Sequence, residues 1–561
     1  MATLMGVAGL AVLHLARGHF TVSANLQTLS LAGVPSIVGL DRAGIPSFIL
    51  PGVLPRAGLT GAADRSFRDD WYHRIHVLPA AIDFGNLVSP MSHAVEVWNA
   101  FLSPVSLTAI EETGADGVSL TGQPPPPLVY GALTSRVHTV AASTQGSPVL
   151  SARYVLRFGN GASSTLTVTG RRVVVFGFAP NWAGGITERL AWLTDVLESY
   201  DGSEQRIRLR SVPRRSFEFQ LDLAGHDVRV LETLLHAWAA RVFAVPVWTD
   251  QTVLTAPLSA GATAVRVADA ANADYHAGGL VAFWSDNQHH EVGEILSLAG
   301  NALTLKQPLS RGWPAGTRVF PARFARIDGD VLVAHPTDAL ASARVRFAVE
   351  DPSPVSAIDG PSTYQGYRVL AWRPNRIEDL TDTWRRKLAL LDYGTGPVTL
   401  DDLSGHPVMG KRLRFTFGNR ATIQAFRAWL HARQGRAVPF WLSSGQSDVE
   451  VTRPIHAADQ HLAVKNIGYA RYLATPTIRR NLVIHATGGR TDYRRITGGS
   501  EISADEELLT LDSTLGVTLA VQDVLRISFL DLVRLEADAQ ELFWETDGIV
   551  QAVLEVRTVK E

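Results

Sequence analysis

Apolar and polar positions alternate along residues 93–178 in a run of short segments. These are HAVEVWNAFLSPVSLTAI (93–110), GVSLTG, VHTVAAST, ARYVLRFGN and STLTVTGRRVVVFGF (164–178). Side chains of a strand point alternately to two faces, so each segment reads as a strand with one buried face. Strands at this spacing predict an immunoglobulin-like β-sandwich over 88–177. The PPPP run at 124–127 falls between two of them and reads as a stiff turn. Residues 1–87 show patchy apolar runs among Pro, Gly and Ala, and predict an irregular segment.

Beyond 178 the pattern mixes two periods. DVRVLETLLHAWAARV (227–242) and ATIQAFRAWLHARQGR (421–436) carry apolar residues at three and four positions, as on one helix face. ITERLAWLTDVLESY (186–200) and IEDLTDTWRRKLALLDY (377–393) read the same way and predict two further helices. FEFQLDL and LRFTFGN alternate, and short alternating segments follow each of them, among them TAVRVADA, GLVAFWS and EVGEILSL, then HLAVKNI, NLVIHAT and VLRISFL.

These segments come in a repeated order. LHAWAARVFAVPVW (235–248) echoes LHARQGRAVPFW (430–441). The echo aligns Trp182 with Trp372, Phe217 with Phe415, His236 with His431, Pro246 with Pro439 and Trp248 with Trp441. Ordered matches over such a length predict a duplication: one β-barrel-plus-helix domain at 178–352 and a second at 353–561. The fold class is mainly β with a few helices. Trp248 and Trp441, each beside a strand start, are expected in the cores.

Composition narrows the chemistry. The chain has 561 residues, enough for three or four domains, and 46% are hydrophobic. A formal net charge of −2 argues against a general binder of nucleic acid or anionic membrane. Cysteine is absent, so disulfides, thiol catalysis and Cys-based zinc sites are excluded. The opening MATLMGVAGLAVLHLARG lacks a basic leader, and His14 and Arg17 interrupt it before a spanning length accumulates. It predicts a buried strand or helix, or a segment inserted into a partner subunit, and no membrane anchor.

There is no G-x-S-x-G, Walker A, H-E-x-x-H or G-x-G-x-x-G. In DNQHHE (286–291), His289, His290 and Glu291 are adjacent; on a strand they face opposite ways and cannot share one metal, so a polar hairpin tip is expected. His236 and His431 read as helix histidines held within a duplicated fold. No catalytic, cofactor or metal residue is predicted, and no cofactor. Arg206, Arg208 and Arg210 alternate in RIRLRSVPRR, with Arg214 and Arg215 following. They are candidate interface residues seeking acidic partners, with a surface for passing nucleic acid as the alternative.

WLTDVLESYDGSEQRIRLRSVPRRSFEF and LHARQGRAVPFW resemble tail-tip proteins of long-tailed, non-contractile bacteriophages, of the distal-tail or baseplate-hub kind. The resemblance covers roughly 178–561. It implies a structural, non-enzymatic component at the tail tip of a virion, assembled in the host cytoplasm. Its partners would be tail tube, hub and fibres, with DNA only as cargo in the channel. Such proteins usually carry one barrel unit, whereas two are predicted here. Three chains would then supply six barrels, so a homotrimer forming a pseudo-sixfold ring is expected. Two other classes stay open: a receptor- or carbohydrate-binding tail protein, with Trp98, Trp284 or Trp313 in a shallow groove, and a tail-associated cell-wall hydrolase.

Overall fold

The computed structural model describes residues 71–560, apart from 145, 147–148, 352–361, 378 and 474–477. The opening apolar stretch and the predicted irregular segment as far as residue 70 lie outside the described residues. The chain is mainly β. It divides into two compact units, 1–172 and 173–561.

The described part of the first unit holds two sheets. One runs Ile75–Leu78, Met91–Asn99, Ser135–Ala142, Val118–Thr121; the other runs Ala81–Leu87, Ser163–Arg172, Val149–Phe158, Val105–Thr113, Leu128–Tyr130. Alternation puts every second residue inward, as in Val149–Phe158, where Leu150, Ala152, Tyr154, Leu156 and Phe158 are buried together. The reading of 1–87 as irregular fails over 75–87. Ile75, Val77, Ile82, Phe84 and Leu87 alternate inward there and complete the core, and Ala81–Leu87 pairs in parallel with the last strand of the unit. Five short apolar positions interrupted by Pro79 and Gly85 made that alternation hard to see.

In the second unit, one set of pairings occurs twice. Over 173–351, Ile186–Glu198 pairs with Glu204–Ala224, which pairs with Leu340–Val349. Leu340–Val349 also meets Leu332–Ala334 and Arg318–Ile327. Arg318–Ile327 reaches on to Phe243–Pro246 and Leu280–Trp284. Over 362–560, Asp382–Arg385 pairs with Val408–Phe417, and that with Ile549–Thr558. Ile549–Thr558 meets Ala539–Thr546 and Val524–Leu535, and the latter reaches Phe440–Ser443 and Asn481–Ala486. Each set also carries one amphipathic helix directly after its long strand: α1 (His226–Trp238) and α2 (Arg420–Arg433). A third, short helix, α3, spans Tyr469–Tyr472.

The two segments read as helices at 186–200 and 377–393 are strands. Leu190, Leu193 and Leu197 lie at helical spacing, but Leu193 and Leu197 face solvent. The residues that go inward are Ile186, Glu188, Leu190, Trp192 and Thr194, with a period of two. The charge at Glu188 breaks that apolar run and hides its period. In 377–393 the strands Asp382–Arg385 and Leu388–Leu391 are almost wholly exposed, so no buried stripe of either period exists.

The echo itself is out of register. Ala322 pairs with both Pro246 and Leu280; Leu530 pairs with both Ser443 and Asn481. The structural counterpart of Pro246 is therefore Ser443, four residues beyond Pro439, and that of Trp248 is Gly445. The helices begin at equivalent places, after Gly225 and Asn419, so Leu430 rather than His431 matches His236. The chain between α2 and its next strand (434–439) is longer than the one after α1 (239–242), and this moves the motif along the fold. Trp248 and Trp441 are both buried, but at different positions.

Candidate functional site

The strongest concentration of chemistry lies where the two sets of strands meet. Ile186–Glu198 is the outer strand of the first repeat, and it pairs antiparallel with Ala539–Thr546 of the second. Helix α2 lies against the same place. Its apolar face carries Ile423, Phe426, Leu430 and Trp429, and Arg427 stands among them, 3% exposed.

Arg427 donates to both oxygens of Asp250, at 3.1 and 3.2 Å, and to Glu188 Oε2. Arg215 Nε donates to Glu188 Oε1 at 2.8 Å, and Trp544 Nε1 to Glu188 Oε2 at 3.0 Å. Arg215 also reaches Asp274, which Arg323 grips with both Nε (3.0 Å) and Nη2. Arg420 donates to Asp250 Oδ1 at 3.3 Å and to the carbonyls of Thr249 and Asp547. Three buried carboxylates therefore face three buried guanidinium groups, with Arg420 at the rim. Burial pushes the Glu188 carboxyl up, but Arg215 and Arg427 outweigh it and hold it below its usual range. Asp274 behaves likewise between Arg215 and Arg323. Burial lowers Arg215, yet Glu188 and Asp274 raise it further.

Each carboxylate of this cluster is held by at least two guanidinium groups, and only the Arg427 Nε lacks a partner within it. A group that must take or give a proton needs free reach to a substrate atom, and these have none. The arrangement instead locks one repeat to the other. Removing one partner would strand an opposite charge in a buried place, a change that costs about 3–5 kcal/mol.

The long hairpin of the first repeat extends the same junction. Glu204 accepts from Arg534 Nε and Nη2 at 2.8 and 2.9 Å, Glu198 from Arg557 at 3.2 Å and Asp201 from Lys560 at 2.7 Å. The five candidate arginines divide here. Arg215 is part of the buried cluster. Arg206 pairs with Glu204 at 3.2 Å, Arg208 donates to Gln434 of α2 at 2.9 Å, Arg210 donates to the carbonyl of Ala191, and Arg214 is exposed. They do not form one charged face, because the strand's bulge against 191–194 changes which residues point inward.

Two strands at the far ends of this arrangement have one neighbour only among the described residues. Asp382–Arg385 holds the place of Ile186–Glu198 but pairs with Val408–Phe417 alone. Leu332–Ala334 holds the place of Ala539–Thr546 but pairs with Leu340–Val349 alone. Each edge exposes a large apolar side chain, Leu332 at 77% in an apolar strand and Trp384 at 54% between polar neighbours. The hairpin Leu388–Leu391 with Thr399–Asp402 pairs only with itself and exposes Leu388, Leu390, Leu391 and Leu400.

The other sequence candidates scatter. His236 is exposed; His431 is buried edge-on to Trp192 at 5.6 Å, and burial, then Arg215, lowers it to about 4. His289 pairs with Asp286 at 2.9 Å, while Glu291 accepts from Trp313 Nε1 at 3.0 Å. Among the described residues no group of His, Asp and Glu could hold a metal ion. Trp313 is buried, Trp284 gives its N–H to the Gly177 carbonyl at 2.8 Å, and Trp98 stacks on His76 at 5.2 Å. Glu188, Asp250, Asp274, Arg323 and Arg427 were not anticipated. The available signal was a charge standing inside an apolar period, as Arg427 does in IQAFRAWL.

No family model matches the chain, and no curated protein matches it. Among solved structures, the chain is similar to the secreted serine protease VesC from Vibrio cholerae at 9% identity. That similarity covers 43% of this chain and 49% of that one, with a TM-score of 0.15. A score so low carries neither fold nor activity across.

Proposed function

We propose that the chain is a non-enzymatic structural component of a phage tail tip or baseplate. Three chains would place their paired repeats in one pseudo-sixfold ring, joining the tail tube to the central hub or fibres, with DNA passing through as cargo. The observation that carries this reading is the junction. Within one chain, an outer strand of the first repeat continues the sheet of the second, and the equivalent strands at both ends stand open among the described residues. A head-to-tail contact that does not complete a closed figure leads to open filaments, so equal ends on a duplicated chain favour a ring. The tail-tip resemblance of 178–561 supplies the setting, a virion assembled in the host cytoplasm.

Light scattering and cryo-EM of the purified full chain test this. Three chains in a ring with both repeats in one layer are expected. Trp384→Arg combined with Leu390→Asp should return the protein to monomers without unfolding it. A monomeric wild type, or six chains per ring, overturns the reading.

One cluster favours the receptor- or carbohydrate-binding alternative. Trp71, His76 and Trp98 cluster with centroids 5.0–6.1 Å apart in the first unit, and Trp71 is 39% exposed. A glycan array on which binding depends on Trp98 would support that alternative.

A further inference from the structure

The two repeats differ most where Trp248 stands. In the first repeat its ring packs edge-on against Trp284 at 5.7 Å and Phe320 at 4.9 Å, and fills the space beside the sheet. Backbone pairing gives the counterparts without ambiguity. Trp284 pairs with Arg318 as His485 pairs with Arg526; Ala282 pairs with Phe320 as Val483 pairs with Ser528. Gly445 holds the place of Trp248. Three large rings of the first repeat are thus replaced by Gly445, His485 and Ser528 in the second.

The space is not refilled. A cavity of about 490 Å³ lies there, bounded by Leu370, Trp372, Leu413, Val483 and Tyr493 on its apolar side. Its polar side carries Arg373, Arg376, Lys411, Arg412 and Arg526, with Asp382 as the one carboxylate. Lys411 takes Asp382 at 3.3 Å, and Arg412 lies 3.8 Å from Glu555 outside the cavity. Arg373, Arg376 and Arg526 have no carboxylate partner among the described residues. Arg376 and Arg526 donate to one and the same acceptor, the Gly445 carbonyl, at 3.4 and 3.3 Å. The Nε of Arg526 is buried with nothing to donate to. Burial and the two neighbouring guanidinium groups lower Arg526, and burial, Arg526 and Arg373 lower His485.

Like charges brought together at a cavity repel, and that cost persists unless an anion offsets it. A repeat that needed only a core here had an aromatic solution available, since its sister uses it. We propose that the cavity of the second repeat is a binding site for a dianionic phosphate group, held by Arg373, Arg376 and Arg526. Guanidinium groups match phosphate oxygens in paired donors. The apolar wall of Trp372 and Tyr493 leaves room for an organic portion of a phosphate monoester. The site borders the open strand Asp382–Arg385 through Asp382, but phosphate binding reads the site and oligomeric state reads the ring.

Calorimetric titration of the full chain with inorganic phosphate and with phenyl phosphate, at constant ionic strength, tests the proposal. Saturable millimolar or tighter binding is expected, at one site per chain. Phenyl phosphate binding more tightly identifies an organic monoester as the source; equal affinities identify free phosphate. Arg526→Gln should weaken binding at least about tenfold, the effect of losing a charged hydrogen bond. Should that variant fail to fold, Arg373→Gln, at an exposed position, gives the same reading. His485→Trp restores the ring of the sister repeat and should abolish binding while the folded state is retained. No saturable binding of either probe, or binding unchanged in Arg526→Gln and His485→Trp alike, overturns the site.

Discussion

The same strand order holds two different interiors. In the first repeat the space beside Phe243–Pro246 is packed with Trp248, Trp284 and Phe320, and its outer strand is saturated by a neighbour. In the second repeat the same space is a cavity walled with arginine, and its outer strand stands open. A duplicated fold tolerates this because backbone pairing, not the filling of one corner, fixes the topology. The second repeat places its aromatic packing elsewhere, under α2, where Phe426 and Trp429 meet Trp372, Phe415, Phe417 and Phe440 of the same repeat. The first repeat's helix buries only Val228 and Leu231. The comparison teaches that each repeat has its own aromatic core, differently placed, and that Arg427 and His431 of α2 are what reach the sister repeat.

The most severe way to break that comparison is Arg427→Ala. Glu188 and Asp250 would be left buried without it, and the 173–561 unit should lose about 3–5 kcal/mol in urea unfolding. A loss confined to the second repeat's signals, with the first untouched, would show that the repeats are not locked together.

Acid sharpens the comparison next. His431 belongs to the second repeat but packs on Trp192 of the first. Its folded pKa is about 4, below the unfolded value near 6.5. Between those values the unfolded chain binds a proton that the folded chain refuses, so stability falls as pH drops from 6.5 to 4 and levels off below. The loss is about 3 kcal/mol by pH 4. His431→Gln should flatten this part of a melting-temperature profile, and an unchanged slope would remove His431 as its cause.

The gentlest test is Trp284→Ala. This half-buried ring forms one wall of the first repeat's aromatic filling, and its loss should cost about 2–3 kcal/mol by thermal unfolding. The counterpart change, His485→Ala, should cost well under half as much, because it enlarges a space that is already open. Equal losses would mean that the two corners are not different in kind.

Much of this architecture is legible in the chain. Alternation marks the strands of 91–172, and helical spacing marks α1 and α2, because in each a single period coincides with a single buried face. The reading fails where a charge occupies a buried position. Glu188 disguises a strand as a helix, and the sequence around Arg427 does not show that Asp250 and Glu188 stand opposite it. The LHA…AVP-x-W echo points to duplication but misaligns it by four residues, since similarity of letters does not report how much chain lies between a helix and its next strand. The arginine cavity left no trace at all. Its members come from 373, 376, 411, 412 and 526, and only the sheet brings them together.

The pairing of Ile186–Glu198 with Ala539–Thr546 also sets a timetable for the nascent chain. Glu188 and Trp544, bonded in the finished protein, are 356 positions apart. At about 5–20 residues per second, a ribosome leaves that edge unaccompanied for on the order of tens of seconds. An uncovered strand is a template for the wrong partner, and a charge pointing inward is a known safeguard against it. Glu188, Asp250 and Asp274 are all made before Arg427, and with only Arg215 and Arg323 against them they leave one negative charge in excess until Arg427 emerges. The residues that later fasten the two halves together would, in the interval, repel a neighbouring chain caught at the same stage of synthesis.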